Sequence, residues 1–253
     1  MRDYGEWAES EVHLFRMVVG AGDIVLEGGA NIGAHTVPLS QAAGPSGRVY
    51  AFEPTYFNHQ LLCTNLVVNR CTNVWSYQAC LGNESGLADL PVVDPARPNN
   101  FGAISLKGEG DEIARVPMMT IDQLGLDRLS FLKLDIEGYE LPALDGAAAT
   151  IEKCRPIVFV ESFSSVSGVI AEPVLDRLKP LGYRAWHYIT PLFNRGNYRR
   201  NSVDHFAGRW SFDMICVPEE RGYLTGLADV ETAPAHCDDP ELWRGVGWHP
   251  TGG

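Results

Sequence analysis

Short apolar runs closed by an acidic residue recur along the chain and set its expected architecture. Ile24-Val25-Leu26 leads into Glu27 and then Gly28-Gly29. Arg48-Val49-Tyr50-Ala51-Phe52 closes on Glu53, Leu129-Ser130-Phe131-Leu132-Lys133-Leu134 on Asp135, and Pro156-Ile157-Val158-Phe159-Val160 on Glu161. Nearly continuous apolar runs of this length suit parallel strands buried on both faces. The pattern predicts strands at 23–28, 48–53, 73–79, 129–135, 156–161, 182–188 and 211–217. Helices are expected at 31–43, 55–69, 139–153 and 171–180, with Pro142 tolerated only in a first turn. Alternating strands and helices predict an α/β fold with a Rossmann-like, seven-stranded, mostly parallel sheet and helices on both faces. The 189–210 connection shows no helical pattern. A parallel crossover normally uses a helix, so the last strand is expected to be antiparallel.

Three stretches depart from the alternation. Residues 1–22 predict a leading helix whose apolar positions are Trp7, Val12, Leu14, Phe15 and Val18, packed over the site or the sheet edge. Residues 84–119 carry β-like runs near 87–93, 103–107 and 113–119, broken by Pro95, Pro98 and Asn99-Asn100, and read as an irregular β insertion at the site rim. Thr120 is expected to cap a short helix reaching Leu126. The tail 218–253, rich in Pro, Gly and Trp, is expected to be partly ordered at best. The whole reads as a single domain over 1–253.

Charge narrows the partners. The 253 residues carry a formal net charge of −12, and the one basic cluster, Arg195 to Arg200, holds three arginines. A surface that tracks phosphate backbones needs a basic stripe, so nucleic acid is not an expected partner. No apolar run approaches membrane-spanning length, and no membrane partner is expected. Six cysteines at 63, 71, 80, 154, 216 and 237 include no C-x-x-C pair, so no metal site is read from them. With the polar start Met1-Arg2-Asp3-Tyr4-Gly5-Glu6, they point to a reducing, cytoplasmic setting.

The chemistry concentrates at the strand ends, where open α/β sheets bind ligands. Four of those ends are acidic: Glu27, Glu53, Asp135 and Glu161. Gly28 and Gly29 turn the first strand toward a helix, where backbone can approach a ligand closely. Glu53 follows the glycines at the distance at which a carboxylate takes ribose hydroxyls. A dinucleotide would require G-x-G-x-x-G, whereas this turn reads Glu27-x-Gly29-x-Asn31-x-Gly33. S-adenosylmethionine needs no phosphate cradle, and an acid after the first strand suits its ammonium group. After the fourth strand stands Asp135-Ile136-Glu137-Gly138-Tyr139-Glu140, without the Pro-Pro-aromatic segment that resembles base-methylating enzymes.

Three segments together resemble the FkbM family of S-adenosylmethionine-dependent methyltransferases: 22–36, from Gly22 to Thr36; Ala51-Phe52-Glu53-Pro54; and 132–140, from Leu132 to Glu140. The resemblance spans about 5–162, with Glu27 where members usually have Asp. It implies a class I methyltransferase fold, S-adenosylmethionine as cofactor and O-methylation of a hydroxyl on a sugar or small natural product. By position it implies that Glu27, Gly28, Gly29, Ala30, Asn31 and Gly33 hold the methionine end, with His35 and Thr36 near its carboxylate. Glu53 with Pro54 would take the ribose, and Ala79, Cys80 and Leu81 would lie near adenine. Asp135 would face both sulfonium and acceptor, a small molecule or saccharide.

An alcohol must lose its proton on methylation, so a base or a metal is needed. Asp135 and Glu161 are the expected catalytic residues, with His205 a weaker choice. The same two acids are also where related O-methyltransferases place Mg²⁺, but Ser162 stands where a further ligand would help, and no metal is assigned. Two other readings stay open: a non-catalytic cofactor-binding scaffold in a biosynthetic complex, and a nicotinamide oxidoreductase, disfavoured by the missing pyrophosphate turn.

Overall fold

A computed structural model of the chain describes residues 2–92, 112–164, 168–233, 235 and 239–251. In order they form α1 (Glu9–Val18), β1 (Ile24–Gly28), α2 (Thr36–Ala43), β2 (Arg48–Phe52), α3 (Tyr56–Val68), β3 (Val74–Tyr77), β4 (Cys80–Leu81), β5 (Gly86–Pro91) and β6 (Ile113–Met119). There follow β7 (Phe131–Leu134), α4 (Glu140–Asp145), α5 (Ala148–Cys154), β8 (Ile157–Glu161), β9 (Phe163–Ser164), β10 (Gly168–Val169), α6 (Ala171–Leu178), β11 (Tyr183–Pro191), β12 (Trp210–Pro218), β13 (Gly222–Thr225) and β14 (Gly247–Pro250).

Seven strands make the main sheet in the order β11-β12-β8-β7-β1-β2-β3. The pairs β8–β7, β7–β1, β1–β2 and β2–β3 are parallel, while β12 runs antiparallel to both β8 and β11. The fold is thus the expected α/β arrangement with one reversed strand. Period-two alternation sorts the apolar side chains between two faces. Leu26, Leu132, Leu134, Val158 and Val160 face one way and pack with Ala143, Leu144, Ile151 and Val174 of α4, α5 and α6. Val25, Phe131, Ile157 and Phe159 face the other way and pack with Leu14 and Phe15 of α1 and Leu39 of α2.

Several elements differ from the sequence pattern. The third strand ends at Tyr77, and Cys80-Leu81 leaves the main sheet to pair with β6 in a small sheet of order β4-β6-β5. The run at 103–107 lies outside the described residues. The helix expected at 139–153 is two helices: the Gly146 carbonyl accepts the Asp122 amide at 2.9 Å, and the Asp122 carboxylate accepts the amides of Ala149 and Thr150 in the first turn of the second. The helix after β1 starts at Thr36 rather than at residue 31, since Asn31 (φ 49°) and Gly33 (φ 89°) are left-handed. The tail is more ordered than its composition suggests: β13 pairs with β14, and Trp243 and Val246 are buried against the α1 face.

Candidate active site

The turn after β1 is built by close backbone approach. Gly29 has φ 79°, and a Cβ there would sit 1.8 Å from the carbonyl oxygen of Asp135. The glycine admits the end of β7, whereas the sequence reading reserved that space for a ligand. The amides of Gly29 and Ala30 both donate to the Phe52 carbonyl, at 3.0 and 2.9 Å. Glu53 fixes the same turn from the side: its Oε2 accepts the Asn31 amide at 2.9 Å and its Oε1 the Thr55 amide at 2.8 Å. Burial raises the Glu53 carboxyl above its usual range, opposed by those hydrogen bonds.

Along the carboxyl edge of the sheet runs a cavity of about 1040 Å³. Its β1–β2 half is lined by Glu27, Gly29, Ala30, Asn31, His35, Glu53 and Pro54, with Ala79, Cys80 and Leu81 beside them. Its β7–β8–β12 half is lined by Asp135, Glu137, Glu161, Phe163, Trp210 and Phe212. All four acidic strand ends therefore share one cavity, and twelve of the fifteen residues singled out from the sequence line it. The other three sit behind its wall. A Cβ on Gly28 would press on Leu81, Leu134 and Ile136, and one on Gly33 would lie 2.9 Å from Leu62. Thr36 is fully buried and donates its hydroxyl to Glu27 Oε2 at 2.6 Å. His205 is exposed, its amide bonded to the Tyr4 hydroxyl and its ring against the Tyr4 ring; it is not among the lining residues.

Beneath the cavity floor lies a buried polar cluster. Glu27 is 1% exposed, and its Oε1 has no hydrogen-bond partner among the described residues. Burial pushes its carboxyl up to about 7, against the pull of the Lys133 ammonium and the Thr36 hydroxyl. Lys133 is 0% exposed and donates to Asp135 Oδ2 at 3.0 Å. Burial alone would lower its pKa, but Asp135, Glu27 and Glu11 outweigh it and hold the ammonium charged. Glu11, from α1, comes within 3.6 Å of His35 Nε2. That contact is an ion pair by distance but not by charge. Burial raises Glu11 well above the usual carboxylate range and drives His35 down to about 3, which leaves the imidazole neutral. Asp213 stands opposite Glu161 in the β12–β8 register, and burial raises both, with Asp135 adding repulsion to each. Glu161 Oε2 is buried without a partner among the described residues.

Sequence reasoning missed Glu11, Lys133 and Asp213. A signal existed for two of them: Lys133 interrupts the run Phe131 to Leu134, and Asp213 interrupts Phe212 to Val217. A charge inside a fully buried strand requires a partner. The ring wall of Trp7, Phe206, Trp210 and Phe212 was also missed, because it joins residues about 200 positions apart. Among the described residues, no group of three or more His, Cys, Asp or Glu side chains is placed to hold a metal ion.

Sheet order, reversed β12 and a ligand cavity at the strand ends define a class I, S-adenosylmethionine-dependent methyltransferase fold. A profile of the Methyltransferase FkbM domain matches residues 27–185, more than half of the chain, and the chain belongs to this family. Among solved structures, methyltransferase FkbM from Methylobacillus flagellatus KT aligns at TM-score 0.50 and 20% identity. That alignment covers 77% of this chain but 43% of the other, so the chain spans less than half of that relative's length. A putative rRNA-methylase from Clostridium thermocellum aligns at TM-score 0.48 and 16% identity, covering 84% of this chain and 96% of that one. A SAM-dependent O-methyltransferase from Thermotoga maritima aligns at 0.45 and 15%, covering 82% and 63% respectively. At these identities the likeness concerns the fold. No protein of curated function matches the chain.

Proposed function

We propose that this chain is an O-methyltransferase acting on a hydroxyl of a sugar or small natural product, with Asp135 as the base. The observation that carries this reading is the placement of Asp135. It ends β7, between the two halves of the cavity, and its side chain is 38% exposed while Lys133 Nζ anchors one oxygen at 3.0 Å. The residues present fit S-adenosylmethionine. Glu27 offers a buried, unpartnered Oε1 at the cavity wall, which a cationic ammonium would satisfy. Glu53, bonded by two backbone amides and by the Thr55 and Asn58 side chains, would take ribose hydroxyls in exchange for the side-chain bonds. Ala79, Cys80 and Leu81 would flank the adenine. When bound, S-adenosylmethionine supplies an electrophilic methyl group.

The chain's own residues then orient the acceptor and receive its proton. The ring wall gives the β7–β8–β12 half an apolar face against which an acceptor would pack, and Asp135 takes the hydroxyl proton as the oxygen attacks. Glu161 enters this step differently from Asp135. Burial and the surrounding carboxylates keep it protonated at neutral pH, so it serves as a hydrogen-bonding acid that positions the acceptor.

The test is Asp135→Asn, assayed by transfer of labelled methyl to an acceptor found in a hydroxyl-compound screen. Loss of a general base lowers kcat by about 10²–10⁴-fold. Affinity for S-adenosylhomocysteine should change far less. A variant with near-normal kcat removes Asp135 from the base role. Turnover is expected to survive EDTA, and its loss on chelation with recovery on Mg²⁺ would replace a side-chain base by a metal.

A further inference from the structure

The buried cation under the cavity has Glu27 beside it as well as the Asp135 oxygen that it anchors. We infer that Lys133 is a positioning residue for cofactor binding: from inside the sheet it keeps the Glu27 carboxylate available as an anion and holds Asp135 in its orientation. The inference rests on the cofactor site proposed above.

Geometry carries the argument. Lys133 lies directly across from Glu27 in the β7–β1 register and two residues before Asp135 on the same strand. Side chains at such positions leave the same face of a sheet. The ammonium is completely buried, with one oxygen of Asp135 as its hydrogen-bond partner. It does not line the cavity, so it acts through its neighbours rather than on a ligand. Its other side is covered by α1, which brings Glu11, and by the start of α2, which brings His35. The remaining titratable groups facing the cluster are Asp213 of β12, bonded to the Ser211 hydroxyl at 2.7 Å, Glu161 of β8, Glu53 after β2, and Tyr188 of β11, whose hydroxyl donates to the Ser10 carbonyl.

Among these groups Glu27 is poised to respond. Its carboxyl titrates near 7, where small changes in local charge decide its state, and Lys133 is the largest influence opposing burial. Removing the ammonium leaves burial and the repulsion from Asp135 and Glu53 acting on Glu27, which then stays protonated at neutral pH. A neutral carboxyl is a poor partner for an ammonium. The loss should therefore be recoverable with alkali, which a loss through misfolding is not.

The experiment is calorimetric titration of S-adenosylhomocysteine at pH 6–9 into wild type, Lys133→Met, Lys133→Arg and Glu27→Gln. Lys133→Met should bind about tenfold or more weakly at pH 7 and recover most of that by pH 9, an upward move of the midpoint by about one unit or more. Lys133→Arg should follow wild type to within about threefold, since it retains the charge. Glu27→Gln should bind weakly with no slope across the range. A uniform loss or no loss in Lys133→Met overturns the inference, and so does a persisting slope in Glu27→Gln. If Lys133→Met does not fold, the Lys133→Arg and Glu27→Gln profiles decide by the same criteria. Wild type that binds no S-adenosylhomocysteine would sink the cofactor site and this role with it. Wild type that binds, beside a flat Lys133→Met profile, sinks this role alone.

Discussion

At the scale of single residues, the acids at the strand ends are tied into the structure around them. Glu53, proposed for the ribose from its place after the second strand, holds backbone amides of the turn with both its oxygens. Glu53→Gln is therefore expected to lower both thermal stability and S-adenosylhomocysteine affinity. The new amide group would face an N–H donor, and losing a charged acceptor costs about 1.5–3 kcal/mol. Unchanged affinity by calorimetry would remove Glu53 from the cofactor site. The positions of Glu27, Asp135 and Glu161 were readable because each follows an apolar run. The charge states of Glu27 and Glu161 were not, since these depend on depth of burial and on Lys133, Asp135 and Asp213, which other elements bring.

At the scale of elements, the first residues and the loop before β12 act as one unit. Tyr4 donates its hydroxyl to the Val203 carbonyl at 3.0 Å and accepts the His205 amide at 2.7 Å. The Glu6 carboxylate receives Asn194 Nδ2 at 2.8 Å and the Tyr198 amide at 3.1 Å. Trp7 packs edge-on against Phe206, and both line the cavity. This clasp was illegible in the sequence: the leading helix was visible from Val12, Leu14 and Phe15, but nothing local ties Tyr4 to Val203. Helix boundaries failed for a similar reason, since at the break Asp122 takes the Gly146 carbonyl and caps the second helix from outside it. Tyr4→Phe keeps the ring contacts and leaves a carbonyl and an amide unpaired. It should lower stability by about 1–3 kcal/mol in denaturant unfolding. An unchanged midpoint would mean that water replaces the hydroxyl and that the clasp is held by its rings.

For the whole molecule, the buried acids set the response to pH. Glu27 and Glu137 are pushed up to about 7, and Asp213 and Glu161 are raised as well, burial being the largest cause for each. The folded state thus retains protons that the unfolded chain has released above its ordinary carboxylate pKa. Stability is lost as pH rises through the folded values. His35, lowered to about 3, acts in the opposite direction, but only below the ordinary histidine range. Thermal midpoints of the ligand-free protein should therefore fall from pH 6.5 to 9, and Glu161→Gln should flatten the decline. A midpoint that is level or rising over that window contradicts the assignment of neutral buried acids.

The clasp also fixes when the site can exist during synthesis. Tyr4 and Glu6 leave the ribosome well before their partners at 194–205, which come some 190 residues later, together with β12, which inserts between β8 and β11. At roughly 5–20 residues per second, the leading segment waits on the order of ten seconds or more for its partners. Until then the edge of β8 is open and Trp7 lacks Phe206. The nascent chain can hold five parallel strands and the β1–β2 half of the cavity before β12 brings the Trp210 and Phe212 rings that line the other half.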